Sequence, residues 1–162
     1  MTPGRPPGRI DRRLEGLGLA LPAPMAPVAS YVPFTQVGAL IWISGQGPVE
    51  NGEIKCAGTV GADIGLEAAV AAARLTALNL LAQLKAALDG DLDRVARVVK
   101  LGGFVRCTAD FSQHPTVIDG ASQVMVALFG EAGRHARFAV GAPCLPMRTA
   151  VEIDGIFEIR HG

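Results

Sequence analysis

Cysteine is scarce in this sequence: Cys56, Cys107 and Cys144 are the three it has. They are widely spaced, form no CxxC pair and have no histidine at metal-ligand spacing, which argues against a disulfide-stapled domain and a structural zinc site. Charge of one sign is missing as well. Fifteen Lys and Arg balance fifteen Asp and Glu, so the chain lacks the field of a dedicated nucleic-acid binder. Aromatics are few, with one Trp, one Tyr and six Phe, too few for a general RNA-stacking platform. No apolar run approaches the ~18 residues needed to span a bilayer. Glu15, Gly16, Gly18, Pro22 and Pro24 interrupt or bound the mildly apolar stretch after Arg12-Arg13 and spoil it as a signal-peptide core. Phosphate-binding and nucleophile motifs (a P-loop, GxGxxG, GxSxG) are absent too. What remains is a globular composition, 49% hydrophobic and 19% charged over 162 residues, sized for one core. The expectation is a cytoplasmic protein with reduced cysteines.

Residues 1–10 are rich in Pro, Gly and Arg and read as a loose arm. Residues 11–30 read as an irregular, proline-broken approach, with a short helical turn around Asp11–Glu15 that Gly16 would stop. We therefore place a flexible arm over 1–24 and one domain over 25–162. Ala39–Ser44 reads as a strand bounded by glycines. Asn51-Gly52 predicts a tight hairpin with Glu53–Cys56 pairing back. From Asp63, Leu66, Val70, Ala73, Ala77, Leu80, Leu81, Leu84 and Leu88 recur three or four apart, predicting a long amphipathic helix over 63–88, capped by Asp63 and stopped at Gly90. Val95–Cys107 is a strand in which Gly102-Gly103 marks a bulge or a close backbone approach. A second helix is predicted over Pro115–Phe129. Ala136–Ala142 and Val151–Ile159 are the last strands, the latter alternating apolar and acidic residues. The order ββ-α-β-α-ββ implies an α+β domain, one sheet with both helices on one face. The opposite face, expected to hold Arg137 and Asp154, needs cover, most simply another subunit.

On the strand Ala136–Ala142, Arg137 alternates onto one face with Ala139 and Gly141. A guanidinium beside such small residues suits a hollow that holds a carboxylate by two parallel bonds. A structural ion pair fits the same spacing. Asp154, on the polar face of the last strand, is a candidate for orienting or deprotonating a water, or a solvated aspartate. Ser44 in Ser44-Gly45-Gln46 can bind a polar ligand end or form a turn. Tyr31, the lone tyrosine, can serve a ligand or pack at an interface. His135 has no partner at a useful spacing, and His114 and His161 read as surface residues. The residues themselves reach a small-molecule carboxylate site needing neither metal nor cofactor.

Two motifs carry a resemblance. The run Ala136-Arg137-Phe138-Ala139-Val140, then Leu145-Pro146, then Val151-Glu152-Ile153-Asp154-Gly155-Ile156, resembles the signature of the YjgF/RidA family: an arginine strand, a Leu-Pro turn and a VEI-acid strand. Gly38–Pro48 resembles that family's first long strand with its SGQ-x-P turn. The resemblance spans roughly residues 25–160. It implies a chorismate-mutase-like fold assembled as a homotrimer around a sheet-lined barrel, with ligand clefts between subunits. It further implies hydrolysis of reactive 2-imino and enamino acids to 2-keto acids and ammonia, without metal or cofactor. In this chain Arg137 would anchor the substrate carboxylate, Ser44 would help bind the ligand, and Tyr31 would come from the neighbouring subunit.

The chain departs from the pattern at three places. Asp154 stands where the family has a water-positioning glutamate, one methylene and about 1.5 Å shorter. Ala139 replaces a cysteine lining the substrate cleft and Gly141 a glutamate, both enlarging the cleft. The leading expectation is an imine deaminase working through Arg137 and Asp154, with Tyr31, Ser44 and Ala139 in the binding site. The alternatives are a non-catalytic trimer binding a keto acid through Arg137, and an endoribonuclease-type protein, disfavoured by the neutral charge.

Overall fold

The computed structural model describes residues 6–27 and 29–160. Helix α1 (Arg9–Gly16) leads into strand β1 (Phe34–Val37), β2 (Leu40–Gln46) and the short β3 (Val49–Glu50) and β4 (Glu53–Ile54). Helix α2 (Leu66–Ala87), strand β5 (Val95–Arg106), helix α3 (His114–Phe129), strand β6 (Ala136–Ala142) and strand β7 (Val151–Ile159) follow. The sheet order is β1-β2-β7-β5-β6, with β5 and β6 parallel and the other neighbours antiparallel. The domain is α+β, as expected. The Asn51-Gly52 turn forms with both residues at positive φ, but the hairpin it closes is a separate two-stranded ribbon. The first long strand pairs with β1 and β7 instead.

Alanines and leucines of α2 carry the core, with Ala69, Ala73, Ala77, Leu80, Leu81 and Leu84 fully buried. The helix begins later than predicted. Gly65 stands at its N-cap, and the Asp63 carboxylate instead accepts the Thr59 amide at 2.6 Å, closing the preceding turn. At the other end Gly90, at φ +90, stops it, and its N–H donates to the Lys85 carbonyl at 2.8 Å. Three polar side chains on α2 are also buried and all find partners. Thr76 donates to the Ala72 carbonyl, Asn79 to those of Val49 and Leu75, and Gln83 to that of Met25, so burial costs them little.

The predicted arm over 1–24 needs correction where it is described. Ile10 is fully buried and Leu14 nearly so, in the same core. The Asp93 carboxylate accepts the Arg9 and Ile10 amides at 2.7 and 2.8 Å, capping α1 from across the fold. Burial alone would raise the pKa of Asp93; those amides, together with the Arg9 and Arg12 charges, more than offset it and hold the carboxyl below its ordinary range. Lys85 pairs with Asp11 at 2.8 Å. Two apolar side chains at helical spacing, Ile10 and Leu14, suffice to dock the segment despite its polar composition.

Gly102 and Gly103 resolve as the close approach, since the register of β5 with both neighbours runs unbroken through them. A Cβ on Gly103 would lie 2.6 Å from Ile118 of α3, and one on Gly102 2.6 Å from the Phe138 ring. The two glycines thus admit a helix on one face and an aromatic ring on the other. That second face is free of helices. Trp42 (46% exposed), Phe104 (39%) and Val140 (43%) stand on it, with Phe104 edge-on to Phe138 at 5.3 Å between ring centroids.

Candidate functional site

Strand β6 is an edge strand, and α3 runs beside it. The alternation along β6 sends Arg137 toward α3, where its Nη1 donates to Ser122 Oγ at 3.1 Å and its Nη2 to the Pro115 carbonyl at 3.3 Å. Asp119 lies 3.5 Å away. The Arg137 side chain keeps 23% of its exposure, so a guanidinium with partly vacant donors faces solvent. Asp119, Ser122, His135 and Arg137 line an open depression of about 350 Å3.

His135, set aside in the sequence for want of a partner, belongs to this cluster. Its Nδ1 lies 2.6 Å from the Gly133 carbonyl and its Nε2 2.9 Å from Ser122 Oγ. A carbonyl only accepts, so Nδ1 carries the hydrogen and neutral Nε2 is an acceptor. Ser122 therefore donates to His135 while accepting from Arg137. Burial, reinforced by the Arg137 charge, holds the imidazole below the ordinary histidine range, against the opposing pulls of its Gly133 bond and of Asp119.

Asp154 does not join Arg137 within the chain. It pairs with Gly102, as Phe138 does, and a Cβ on Gly102 would touch both the Asp154 carboxylate and the Phe138 ring. Asp154 is thus on the helix-free face with Phe138, and Arg137, one residue along β6, is on the other. The expectation that both occupy the uncovered face is corrected: Asp154 does, and Arg137 faces α3.

Tyr31 and Ser44 sit toward the other edge of the sheet. The pairing of β2 with β7 slips between Ile43 and Gln46, a bulge that contains Ser44 and Gly45. The Ser44 hydroxyl donates to the Val32 carbonyl at 2.7 Å, and its amide to that of Pro33 at 2.9 Å. It thereby fixes the segment that carries Tyr31. The tyrosine, 48% exposed, borders a depression of about 340 Å3 with Gly45, Met147 and Glu152. Burial first, and the Asp154 carboxylate second, push Glu152 up. A Cβ on Gly45 would collide with that carboxyl, so the glycine admits Glu152 here.

The hollow expected around the small residues of β6 exists farther along. A Cβ on Gly141 would lie 2.8 Å from His114 Nε2 and 2.9 Å from Cys107 Sγ. These line a cavity of about 430 Å3 with Phe111 and Pro143. His114 is not a simple surface residue: its Nε2 lies 3.3 Å from Cys107 Sγ, and its ring meets Phe111 edge-on. Burial pushes the Cys107 thiol up, which keeps it protonated and slow to react. Ala139 is half-buried between this cavity and Arg137. His161 lies outside the described residues. Among the described residues, no cluster of three or more His, Cys, Asp or Glu is placed to hold a metal ion, and no helix is long and apolar enough to cross a membrane.

Residues 11–157 match a family model described as "YjgF/chorismate mutase-like, putative endoribonuclease". Protein TCP17 of Trypanosoma cruzi is 43% identical over 95% of this chain and 96% of its own length. The crystal structure of a protein of unknown function from Agrobacterium tumefaciens is 49% identical, with a TM-score of 0.87 over 93% of this chain and 94% of that one. E. coli TdcF, solved with bound serine, is more distant: 25% identical, with a TM-score of 0.59 over 86% of this chain and 94% of that one.

Proposed function

The chain belongs to the YjgF/chorismate-mutase-like family, and from that premise we propose that it binds small 2-imino or enamino acids by their carboxylate at Arg137 and hydrolyses them to 2-keto acids and ammonia. The observation that carries this reading is the Arg137 guanidinium itself. It is half-buried, oriented by Ser122 and the Pro115 carbonyl, and still open to a depression. A carboxylate entering there displaces only the long 3.5 Å contact to Asp119 and gains two charge-assisted bonds. The serine held by TdcF supports a small amino-acid-like ligand for this chain.

In the reaction, water oxygen bonds to the imine carbon as the C=N electrons move to nitrogen. The resulting carbinolamine then expels ammonia and leaves the keto group. Holding the carboxylate fixes the neighbouring carbon for attack, which is catalysis by positioning.

We place the complete site between subunits of a cytoplasmic homotrimer. The exposed Trp42, Phe104 and Val140 on the helix-free face favour association. Tyr31, Glu152 and Asp154 then serve the cleft of a neighbouring Arg137, since Asp154 stands across the sheet from its own. Ser44 acts by holding the Tyr31 segment, and the small side chain of Ala139 leaves room for substrate. An endoribonuclease role has the family description in its favour and the neutral charge against it; RNA retention that falls steeply with salt would mark it.

The test generates 2-aminoacrylate in place with a dehydratase and follows keto-acid release with the protein, without it, and with Arg137→Ala. Acceleration that disappears in Arg137→Ala supports the reading. A folded trimer that gives no acceleration rejects it and leaves the binding role.

A further inference from the structure

We infer that Ser122 and His135 form the proton-transfer pair of the Arg137 site, acting at the carbon next to the bound carboxylate. The inference rests on the deaminase reading for its substrate, and on three independent features for its chemistry.

The first feature is proximity. Ser122 Oγ lies 3.1 Å from Arg137 Nη1. A carboxylate oxygen held at about 2.8 Å from the guanidinium puts the carbon next to the carboxyl two bonds farther out, roughly 5 Å from the nitrogen. Ser122 lines the same depression as Arg137, so one water between Ser122 and that carbon bridges the two.

The second feature is polarity. The Gly133 carbonyl fixes the His135 tautomer with Nδ1 protonated, leaving Nε2 to accept from Ser122 at 2.9 Å. This falls within the reach of a general base. Gly133 packs closely against the backbone of α3, where a Cβ would lie 2.7 Å from the Met125 carbonyl carbon. The third feature is sidedness. Asp154, the family-pattern acid, lies across the sheet from Arg137, while Ser122 and His135 are on the guanidinium's own side. The charged groups around His135 are Arg137 on β6, Asp119 on α3, and Arg134, which borders the same depression.

In the step, a water proton passes to Ser122 Oγ while the Ser122 proton passes to His135 Nε2. The water oxygen bonds to the imine carbon and the C=N electrons go to nitrogen. The imidazolium then returns its proton through Ser122 to the carbinolamine nitrogen. The carbinolamine hydroxyl proton next passes through Ser122 and His135 to the amino nitrogen, so that the C–N bond breaks with departure of neutral ammonia as the C=O forms.

The test compares Ser122→Ala, Ser122→Thr, His135→Gln and Arg137→Ala with the native protein in the 2-aminoacrylate assay. An imidazole-nitrogen NMR titration of His135, with and without pyruvate, accompanies it. The expected result is a kcat loss on the order of 100-fold in His135→Gln with KM little changed, and a similar kcat loss in Ser122→Ala with a raised KM, because Ser122 also orients Arg137. Rate should return in Ser122→Thr, and the acid limb of the pH profile should vanish in His135→Gln. Pyruvate should raise the His135 pKa in the native protein and not in Arg137→Ala. Native kcat and pH profile in Ser122→Ala and His135→Gln would overturn the inference. If the native protein gives no acceleration, the deaminase reading falls by itself. The pair is then decided by pyruvate: an Arg137-dependent rise in the His135 pKa supports it, and no rise overturns it.

Discussion

Replacing Ile10 by alanine removes three buried carbons from a side chain with no exposure at all. At about 0.8 kcal/mol per methylene, the transfer term alone is about 2.4 kcal/mol. A residual cavity adds to this, so the expected destabilisation is about 3 kcal/mol. For a chain of this size that corresponds to a Tm lower by roughly 6–12 °C. Urea unfolding followed by circular dichroism measures it, with native and variant proteins at equal concentration because association adds to apparent stability. Leu17→Ala, one turn beyond Leu14 and 48% exposed, is the control and should change stability by less than about 0.5 kcal/mol. An Ile10→Ala protein as stable as the control would show that α1 does not dock, and would restore the flexible arm.

Glu152→Gln should raise Tm at neutral pH. Folding raises the Glu152 pKa, so the native residue favours the fold in its protonated form and loses that contribution as pH rises through the folded-state value. The gain from the substitution should therefore shrink as the pH falls below the ordinary glutamate range, and a gain independent of pH would contradict the assignment. With iodoacetamide at pH 7, exposed Cys144 should be alkylated well before half-buried Cys56 and Cys107, whose thiols burial pushes up; peptide mass spectrometry resolves the order. Gly103→Val should cost about 1–3 kcal/mol by driving its side chain into Ile118. Gly16→Ala, with open space around its Cβ, should add up to about 1 kcal/mol, both read by thermal unfolding.

The helices were legible because α2 and α3 repeat apolar residues over several turns, and β7 because Val151, Ile153, Phe157 and Ile159 alternate with Glu152, Asp154 and Glu158. Strand β1 was missed because Phe34–Val37 is four residues of mixed polarity, with no period long enough to detect. The sequence marks helix α1 as a short helical turn around Asp11–Glu15 stopped at Gly16, but two buried residues in a Pro-, Gly- and Arg-rich stretch leave too weak a pattern to show that it docks. At the site, the two motifs singled out Arg137, but alternation along an edge strand does not say which face meets the helix. That depends on α3, whose Ser122 and Asp119 reach Arg137 only through tertiary packing. For the same reason His135 and His114 looked isolated: their partners lie thirteen and seven residues away, across a change of element. The signal for Cys107 and His114 was their position at the end of one predicted strand and the start of the next helix.

The most direct measurement is the rate of keto-acid release from 2-aminoacrylate at constant dehydratase flux, for the native protein and for Arg137→Ala. The account predicts a rate well above unaided hydrolysis for the native protein, and a kcat/KM lower by roughly 10- to 100-fold in the variant, the scale of a lost charge-assisted hydrogen bond. Equal rates for the two proteins would contradict the assignment of Arg137 as the carboxylate anchor.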